Sequence, residues 1–190
     1  MPEGARAFVA IRLAPEVDRT VARFQAGLRA VGGDVSWTAP ANFHLTLRFL
    51  GNRVEPAVIE KMIAGLHAIA AATAPFMMAA RGAGAFPSLN RPRVIWIGLA
   101  DDGQLVHLAQ QVEALSVRCG LEPENRPFTA HLTMGRVRSP ARNPGMRAAL
   151  EAAAERDFGT SAIASMTLYR SHLSPRGAQY EALSVLPFEG

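Results

Sequence analysis

The feature that most constrains this chain is a four-residue pattern, histidine-leucine-threonine-aliphatic, that occurs twice. The copies are residues 44–47 (HLTL) and 131–134 (HLTM). Each lies in a run of apolar, aromatic and β-branched residues that is typical of a strand. With five histidines and eight threonines in the chain, about 0.2 His-x-Thr matches are expected by chance. Two copies that also share the leucine argue against accident.

The spacing within the pattern predicts which way its side chains point. In a strand, residues i and i+2 face the same side. His44 and Thr46 therefore share one face, and His131 and Thr133 do the same in the second copy, while the aliphatic residues of both copies face a core. By the same rule Arg48 is predicted to lie on the face of His44. Each strand presents an imidazole and a hydroxyl on rigid scaffolding.

Two imidazoles and two hydroxyls suit phosphodiester cleavage without a metal. A neutral histidine takes a proton from the attacking water, and a protonated histidine gives one to the departing oxygen. An unperturbed histidine pKa of about 6.5 makes both forms accessible near neutral pH. Threonine hydroxyls can donate to the non-bridging phosphate oxygens, where charge builds up. The residues alone require one donor and one acceptor without saying which is which.

Other interpretations of the motif remain open. A single such histidine is more often a half-buried structural residue, and the repetition is what favours catalysis. A metal site is less favoured, because the chain has no HExxH, no Cys/His cluster and no acidic partner near either copy. His67 and His107 are predicted at the surface, and His172 shows no partner in the sequence. An RNA-binding module without catalysis gives no reason for two proton-transfer groups.

Strands alternate with helices, but some strands follow one another directly, which indicates an α+β fold. The second half of the chain loosely repeats the first, so we expect one domain over residues 1–190 with an internal duplication. Predicted strands lie near 6–13, 43–50, 76–81, 93–99, 129–137, 164–171 and 179–186. Predicted helices begin near Pro15, Pro56, Asp101 or Asp102, and Asn143. Residues 82–93 are predicted to form a loop.

Composition narrows the functional class only slightly. No apolar run approaches a membrane span, the N-terminus does not read as a signal peptide, and a single cysteine, Cys119, permits no internal disulfide. These features favour a cytoplasmic protein with no membrane partner. The net charge of +4 and the pI near 10.2 favour nucleic acid as a partner. However, Lys61 is the only lysine, so the arginine excess is equally consistent with codon bias.

The chain resembles the two-histidine (2H) phosphoesterase superfamily, and within it the RNA 2',3'-cyclic phosphodiesterases that are also called 2'-5' RNA ligases. The similarity runs over nearly the whole chain, and both motif strands fit the pattern without departure. The segments that carry it are FVAIRL (8–13), WTAPANFHLTLRFLG (37–51), GAFPS (84–88), PRVIWIGL (92–99) and FTAHLTMGR (128–136).

This resemblance implies a bilobal LigT-like fold, in which antiparallel sheets of two pseudo-symmetric lobes line a central cleft and helices lie outside. It implies hydrolysis of a 2',3'-cyclic phosphate, on an RNA end or a cyclic nucleotide, to a 2'-phosphate. No metal or other cofactor is implied, and a monomer is expected. The alternative activity is 2'-5' ligation of tRNA half-molecules, because water and a 5'-hydroxyl need the same groups for attack.

The resemblance also assigns roles to the motif residues. It makes His44 the proton donor and His131 the proton acceptor, with Thr46 and Thr133 holding the phosphate. Arg136 matches the family arginine that follows the second motif, and its planar guanidinium suits a phosphate clamp.

Two further residues are predicted to bind substrate with less support. Arg48 shares the strand face of His44 by the period-2 rule and is therefore predicted to reach the phosphate. Phe49 could stack on a base, but simple packing in the core is the slightly favoured alternative.

Overall fold

The computed structural model describes residues 4–139, 143–175 and 177–190, and within them the chain forms strands and helices in mixed order. The strands are β1 (Ala5–Ile11), β2 (Val35–Trp37), β3 (Leu45–Val54), β4 (Phe76–Phe86), β5 (Val94–Ala100), β6 (His131–Val137), β7 (Asp157–Ile163), β8 (Ser165–Ser174) and β9 (Gly177–Pro187). The helices are α1 (Pro15–Val31), α2 (Pro56–Ala71), α3 (Gln104–Arg118) and α4 (Pro144–Ala152), with a 3-10 turn at Pro40–Asn42.

The strands form one sheet with the order β7-β4-β5-β6-β3-β1-β8-β9, and β2 also pairs with β6, off this path. We call β3, β1, β8 and β9 the first lobe, and β7, β4, β5, β6 and β2 the second lobe. The pairs within each lobe are antiparallel. The two lobes meet at the pair Leu45–Leu132. The predicted α+β, bilobal fold is confirmed, with the sheets of its two lobes joined edge to edge.

The helices cover one face of this sheet. Helices α2 and α3 pack on the first lobe, whereas α1 and α4 pack on the second. The aliphatic residues of both motifs point to this face, as predicted: Leu45, Leu132 and Met134 are fully buried and Leu47 nearly so. The motif histidines and threonines therefore face the opposite side, which we call the cleft face. Within the described ranges, no helix is long and apolar enough to cross a membrane.

Strands β2 and β7 were not predicted from the sequence, and the end of β4 was predicted to lie in a loop. Strand β4 continues to Phe86 through a glycine-rich stretch, and glycine normally weakens a strand interior. Here the glycines allow close packing: a Cβ on Gly84 would lie 2.5 Å from the ring of Trp96. Gly82 adopts a positive φ of 75°, which few other residues tolerate. Tertiary packing thus overrides the local loop signal.

Candidate active site

His44 lies between the 3-10 turn and β3, half-buried in the cleft. Its Nδ1 is 2.7 Å from the carbonyl oxygen of Asn42. A carbonyl oxygen can only accept, so Nδ1 carries the hydrogen. Its Nε2 is 3.0 Å from Oγ1 of Thr46. The ring orientation is therefore fixed at both nitrogens, and Nε2 is the atom that can exchange a proton with a substrate.

His131 opens β6 and repeats this arrangement. Its Nδ1 is 2.7 Å from the carbonyl oxygen of Thr129, two residues earlier, just as in the first motif. Nδ1 must again donate, which leaves Nε2 to accept or release a proton. The two motifs thus present the same ring nitrogen in the same tautomer.

The pairing of Leu45 with Leu132 places the two motifs on neighbouring antiparallel strands. Burial lowers the pKa of His44 most strongly, and the nearby charges of Arg12 and His131 lower it further, against the hydrogen bond to Asn42, which raises it. Because Leu45 pairs with Leu132, the preceding residues His44 and His131 lie close together on the same side of the sheet, and a charge on His131 disfavours protonation of His44.

The pKa of His131 is also lowered, first by burial and then by the charge of Arg136, while the hydrogen bond to Thr129 raises it. Both pKa values thus lie below the ordinary 6.5. In the unliganded site both imidazoles are mainly neutral at pH 7. An anionic phosphate bound between them would favour protonation of one, because an opposite charge stabilises imidazolium.

An aromatic cluster surrounds His44, and sequence reasoning missed most of it. The rings of Phe8 and Tyr180 lie 5.0 and 5.3 Å from the imidazole, and Tyr169 stacks on Phe8 at 5.4 Å. These residues come from β1, β8 and β9, far apart in sequence. Burial raises the pKa of the Tyr180 hydroxyl, while the charges of Arg6 and Arg136 oppose that rise.

His131 has a more open environment. The ring of Phe86 meets it edge-on at 5.2 Å, and Trp96 lies 5.2 Å from Phe86. Gly98 pairs directly with His131 and adds no side chain beside the imidazole. A cavity of about 320 Å³ adjoins the ring here, and Phe86, Trp96 and Gly98 form part of its wall.

Strand β3 contains a β-bulge immediately after Thr46. Thr46 pairs with Ala10 and Arg48 with Val9, which leaves Leu47 as an extra residue. An extra residue reverses the alternation beyond it. Arg48 therefore shares the face of Val9, which is fully buried beneath the helices.

The prediction that Arg48 shares the face of His44 is wrong for this reason. Arg48 is buried, with Nε 2.6 Å from Oε2 of Glu113 on α3, an ion pair whose angles do not suit a hydrogen bond. A second carboxylate, from Glu124, lies 3.6 Å from the guanidinium, and the carbonyl of Glu122 accepts a hydrogen bond from it. Arg48 joins β3 to the helix layer and does not contact the cleft.

Because of the bulge, Phe49 lies on the cleft face of β3 in place of Arg48. It pairs with Phe8, whose ring contacts His44, so both rings lie on the side of the imidazole. Phe49 is half-buried and lies outside the hydrophobic core, so the slight preference for core packing is wrong. The guanidinium of Arg6 lies 4.5 Å from the centre of its ring, within the range of a cation–π contact.

Strand β6 contains a matching bulge. Thr133 pairs with Trp96 and Gly135 with Ile95, which leaves Met134 as the extra residue. Arg136 therefore pairs with Val94 and returns to the cleft face. Its side chain is exposed, and its charge reaches both His131 in its own lobe and Tyr180 in the other. The structure thus places Arg136 on the cleft face just beyond the second motif.

Among the described residues, no group of three His, Cys, Asp or Glu side chains is placed to hold a metal ion. His67 and His107 are exposed, as predicted. His172, which had no partner in the sequence, lies 2.9 Å from a carboxylate oxygen of Glu181 on β9. The chemistry that this cleft offers is proton transfer by two imidazoles beside hydroxyl and guanidinium donors.

The chain is similar to known proteins over nearly its whole length. The family model of LigT like phosphoesterases matches residues 11–96 and 97–180, one match for each half. An RNA 2',3'-cyclic phosphodiesterase of Archaeoglobus fulgidus is 33% identical over 181 residues, which are 95% of this chain and 98% of the relative.

Solved structures agree with this relationship. TT0787 of Thermus thermophilus superposes with a TM-score of 0.81 at 30% identity, covering 97% of this chain and 98% of that one. Escherichia coli LigT complexed with 3'-AMP gives a TM-score of 0.76 at 26% identity, covering 99% of this chain and all of the other. This protein therefore belongs to the LigT-like family of two-histidine phosphoesterases.

Proposed function

We propose that this protein is an RNA 2',3'-cyclic phosphodiesterase, which hydrolyses a terminal cyclic phosphate to a 2'-phosphate. One observation carries the proposal: two histidines on neighbouring strands present Nε2 to one cleft, each fixed by an Nδ1 hydrogen bond to the carbonyl two residues earlier. Such a pair can supply the base and the acid of a metal-independent displacement at phosphorus. Relatives that carry this name match the chain almost end to end.

In the proposed reaction, Nε2 of His131 takes a proton from water as the water oxygen attacks phosphorus. Nε2 of His44 gives a proton to the 3'-oxygen as its bond to phosphorus breaks. The products are a 2'-phosphate and a free 3'-hydroxyl, and the proton balance of the histidine pair is reset through solvent. The division of roles rests on the family resemblance, whereas the need for one acid and one base rests on the chemistry.

Three side chains are proposed to hold the phosphate. Thr46 and Thr133 lie on the cleft face of the two strands, and a hydroxyl can donate to a non-bridging oxygen. Arg136 adds a planar cation on the same face, suited to a two-point contact with phosphate. Phe49 is proposed to contact the base or ribose, because its ring lies on the cleft side beside the aromatic cluster of His44.

Ligation to a 5'-hydroxyl is a second candidate activity, and the cavity beside His131 favours it. At about 320 Å³ it is far larger than the roughly 30 Å³ that one water occupies. A nucleoside could therefore approach the side from which the nucleophile attacks. In that reaction His131 would take its proton from the 5'-hydroxyl instead of from water.

The test is hydrolysis of a 2',3'-cyclic mononucleotide in EDTA, with the phosphate position of the product identified by ³¹P NMR. Wild type should form the 2'-phosphate, and His44→Ala and His131→Ala should each lose at least about a hundredfold in kcat/KM. His107→Ala, at an exposed position on α3, is the matched control and should retain full rate. Loss of wild-type activity in EDTA, or full activity in either motif variant, would overturn the proposal. Adding an RNA with a 5'-hydroxyl and looking for a joined product tests ligation.

We further propose that residues 1–190 act as one bilobal domain, since a continuous sheet joins the lobes. We also propose that the protein is a monomer and that it acts on RNA ends in the cytoplasm. Size-exclusion chromatography with light scattering tests the oligomeric state.

A further inference from the structure

The buried side-chain amide of Gln25, in helix α1, contacts the backbone of the second motif from the helix side of the sheet. Gln25 is 2% exposed, and it interrupts a helix stripe that is otherwise apolar. Its Nε2 donates to the carbonyl oxygen of Thr38 at 2.8 Å and to that of Met134 at 2.9 Å. An amide nitrogen has two hydrogens, so both are used, one on the backbone that follows β2 and one on the backbone of β6.

Met134 is the extra residue of the bulge in β6. Its carbonyl oxygen also accepts from the backbone nitrogen of Thr38 at 2.9 Å. Two donors thus converge on one carbonyl: one from the segment that follows β2 and one from α1. A backbone carbonyl at a bulge lies outside the regular ladder and needs such partners when it is buried.

The bulge decides where Arg136 points. With strict alternation from Thr133, residue 135 would face the cleft and Arg136 would face the helices. Because Met134 is extra, Arg136 pairs instead with Val94 on the cleft face. The geometry that holds the Met134 carbonyl therefore also sets the position of the arginine two residues later.

We propose that Gln25 is a positioning residue that fixes the bulge at Met134 and thereby aims Arg136 at the bound phosphate. The kinetic consequence of this inference rests on the proposed function, whereas its geometry does not. Gln25 does not touch the substrate in this scheme; it acts only through the backbone of β6.

Gln25→Met tests the proposal, because methionine keeps the size of the side chain and removes both donors. We expect kcat/KM for a cyclic mononucleotide to fall about tenfold, mainly through KM, since small misplacements of a binding group are costly. Leu28→Ala is the matched control: it removes buried volume one turn further along α1. It should lower the melting temperature at least as much and leave KM within about twofold.

A double-mutant comparison separates positioning from general destabilisation. In an Arg136→Ala background, the substitution Gln25→Met should have little further effect on KM, because the group that it misplaces is already gone. Full additivity of the two losses, or an equal KM change in Leu28→Ala, would overturn the proposal.

The NMR titration of His131 gives a readout that does not need activity. Arg136 lowers the pKa of His131, so Arg136→Ala should raise that pKa. Gln25→Met should raise it as well, because it misplaces the guanidinium of Arg136. An unchanged His131 pKa in a folded Gln25→Met protein would contradict the inference. If wild type fails to cleave cyclic phosphates but this coupling is present, the proposed function is wrong and the positioning role stands.

Discussion

The two lobes carry motif strands that match in detail and surroundings that do not. In both, a histidine donates from Nδ1 to the carbonyl two residues earlier, a threonine follows on the same face, and a bulge comes next at Leu47 or Met134. The bulge puts the fifth residue after each histidine on the cleft face. That residue is Phe49 in the first lobe and Arg136 in the second.

The surroundings of these equivalent strands differ, and the difference supports the proposed roles of the two histidines. His44 is enclosed by Phe8 and Tyr180 and lies near Arg12, whereas His131 adjoins an open cavity. An enclosed ring suits a fixed leaving group, and an open one suits an incoming nucleophile of variable size. Duplication thus supplies two proton-transfer groups, and the flanking residues make them inequivalent.

The largest expected effect tests that inequivalence directly. His44→Ala and His131→Ala should each lose about 10²- to 10⁴-fold in kcat on a cyclic nucleotide. With a p-nitrophenyl phosphodiester, whose leaving group needs no proton, His44→Ala should recover most of its loss and His131→Ala should not. The measurement is steady-state release of nitrophenolate. Recovery in His131→Ala alone would reverse the assigned roles.

Next in size is the contrast between the two arginines. Arg136→Ala should raise KM by about tenfold to a hundredfold with little change in melting temperature, because the side chain is exposed. Arg48→Met should instead lower the stability and leave KM nearly unchanged. It leaves the carboxylate of Glu113, which is 30% exposed, without its partner, and we expect a loss of about 2–4 kcal/mol in unfolding free energy with a nearly unchanged KM.

Urea denaturation and initial-rate kinetics on both variants measure this contrast. Glu113→Gln provides the control, since it keeps the shape and removes the charge from the other side of the pair. A Michaelis constant that rises in Arg48→Met as much as in Arg136→Ala would mean that both arginines bind substrate, against the bulge geometry.

The arginine pair also shows how far the sequence could lead. Alternation within four residues correctly placed His44, Thr46 and the buried leucines, because a strand keeps its period over so short a distance. The same rule misplaced Arg48, because the bulge lies between it and Thr46. Nothing local marks a bulge at Leu47, since the pairing of β1 with β3 determines it. Arg136 was assigned to the site only through the family pattern, and its place on the cleft face depends on a bulge that alternation does not predict.

Long-range packing explains the other omissions. The ring of Tyr180 reaches His44 because β9 returns next to β8 and β1, an order that hydrophobic periodicity does not encode. In the sequence, Gln25 looks like any polar residue at the edge of a helix stripe. In the structure it is buried, where it donates a hydrogen bond to the carbonyl oxygen of Met134. Residues whose role depends on partners far along the chain were the ones that sequence reasoning missed.

A smaller effect is expected in the pH profile. Both histidine pKa values are lowered from 6.5, so the singly protonated pair is most abundant below that value. The kcat/KM profile should therefore be a bell with its maximum on the acid side of pH 6.5 and should fall towards pH 8 as the acid loses its proton. Arg12→Gln removes a cation that lowers the pKa of His44, so it should shift the alkaline limb of the profile to higher pH.

Profiles measured for the wild type and for Arg12→Gln check this, with Arg19→Gln as the control at an exposed position on α1. A wild-type maximum above pH 7.5, or a downward shift in Arg12→Gln, would contradict the electrostatic environment described for His44.

The smallest expected effect concerns Phe49, which occupies in the first lobe the position of Arg136 in the second. Because its ring lies outside the core, Phe49→Ala should cost little stability, and the loss of a stacking surface should raise KM about three- to thirtyfold. Phe49→Tyr keeps the ring and should retain the wild-type KM. If Phe49→Ala instead lowers the melting temperature sharply and leaves KM unchanged, then the ring supports Arg6 and β1, and substrate recognition in the first lobe rests on the aromatic cluster of His44.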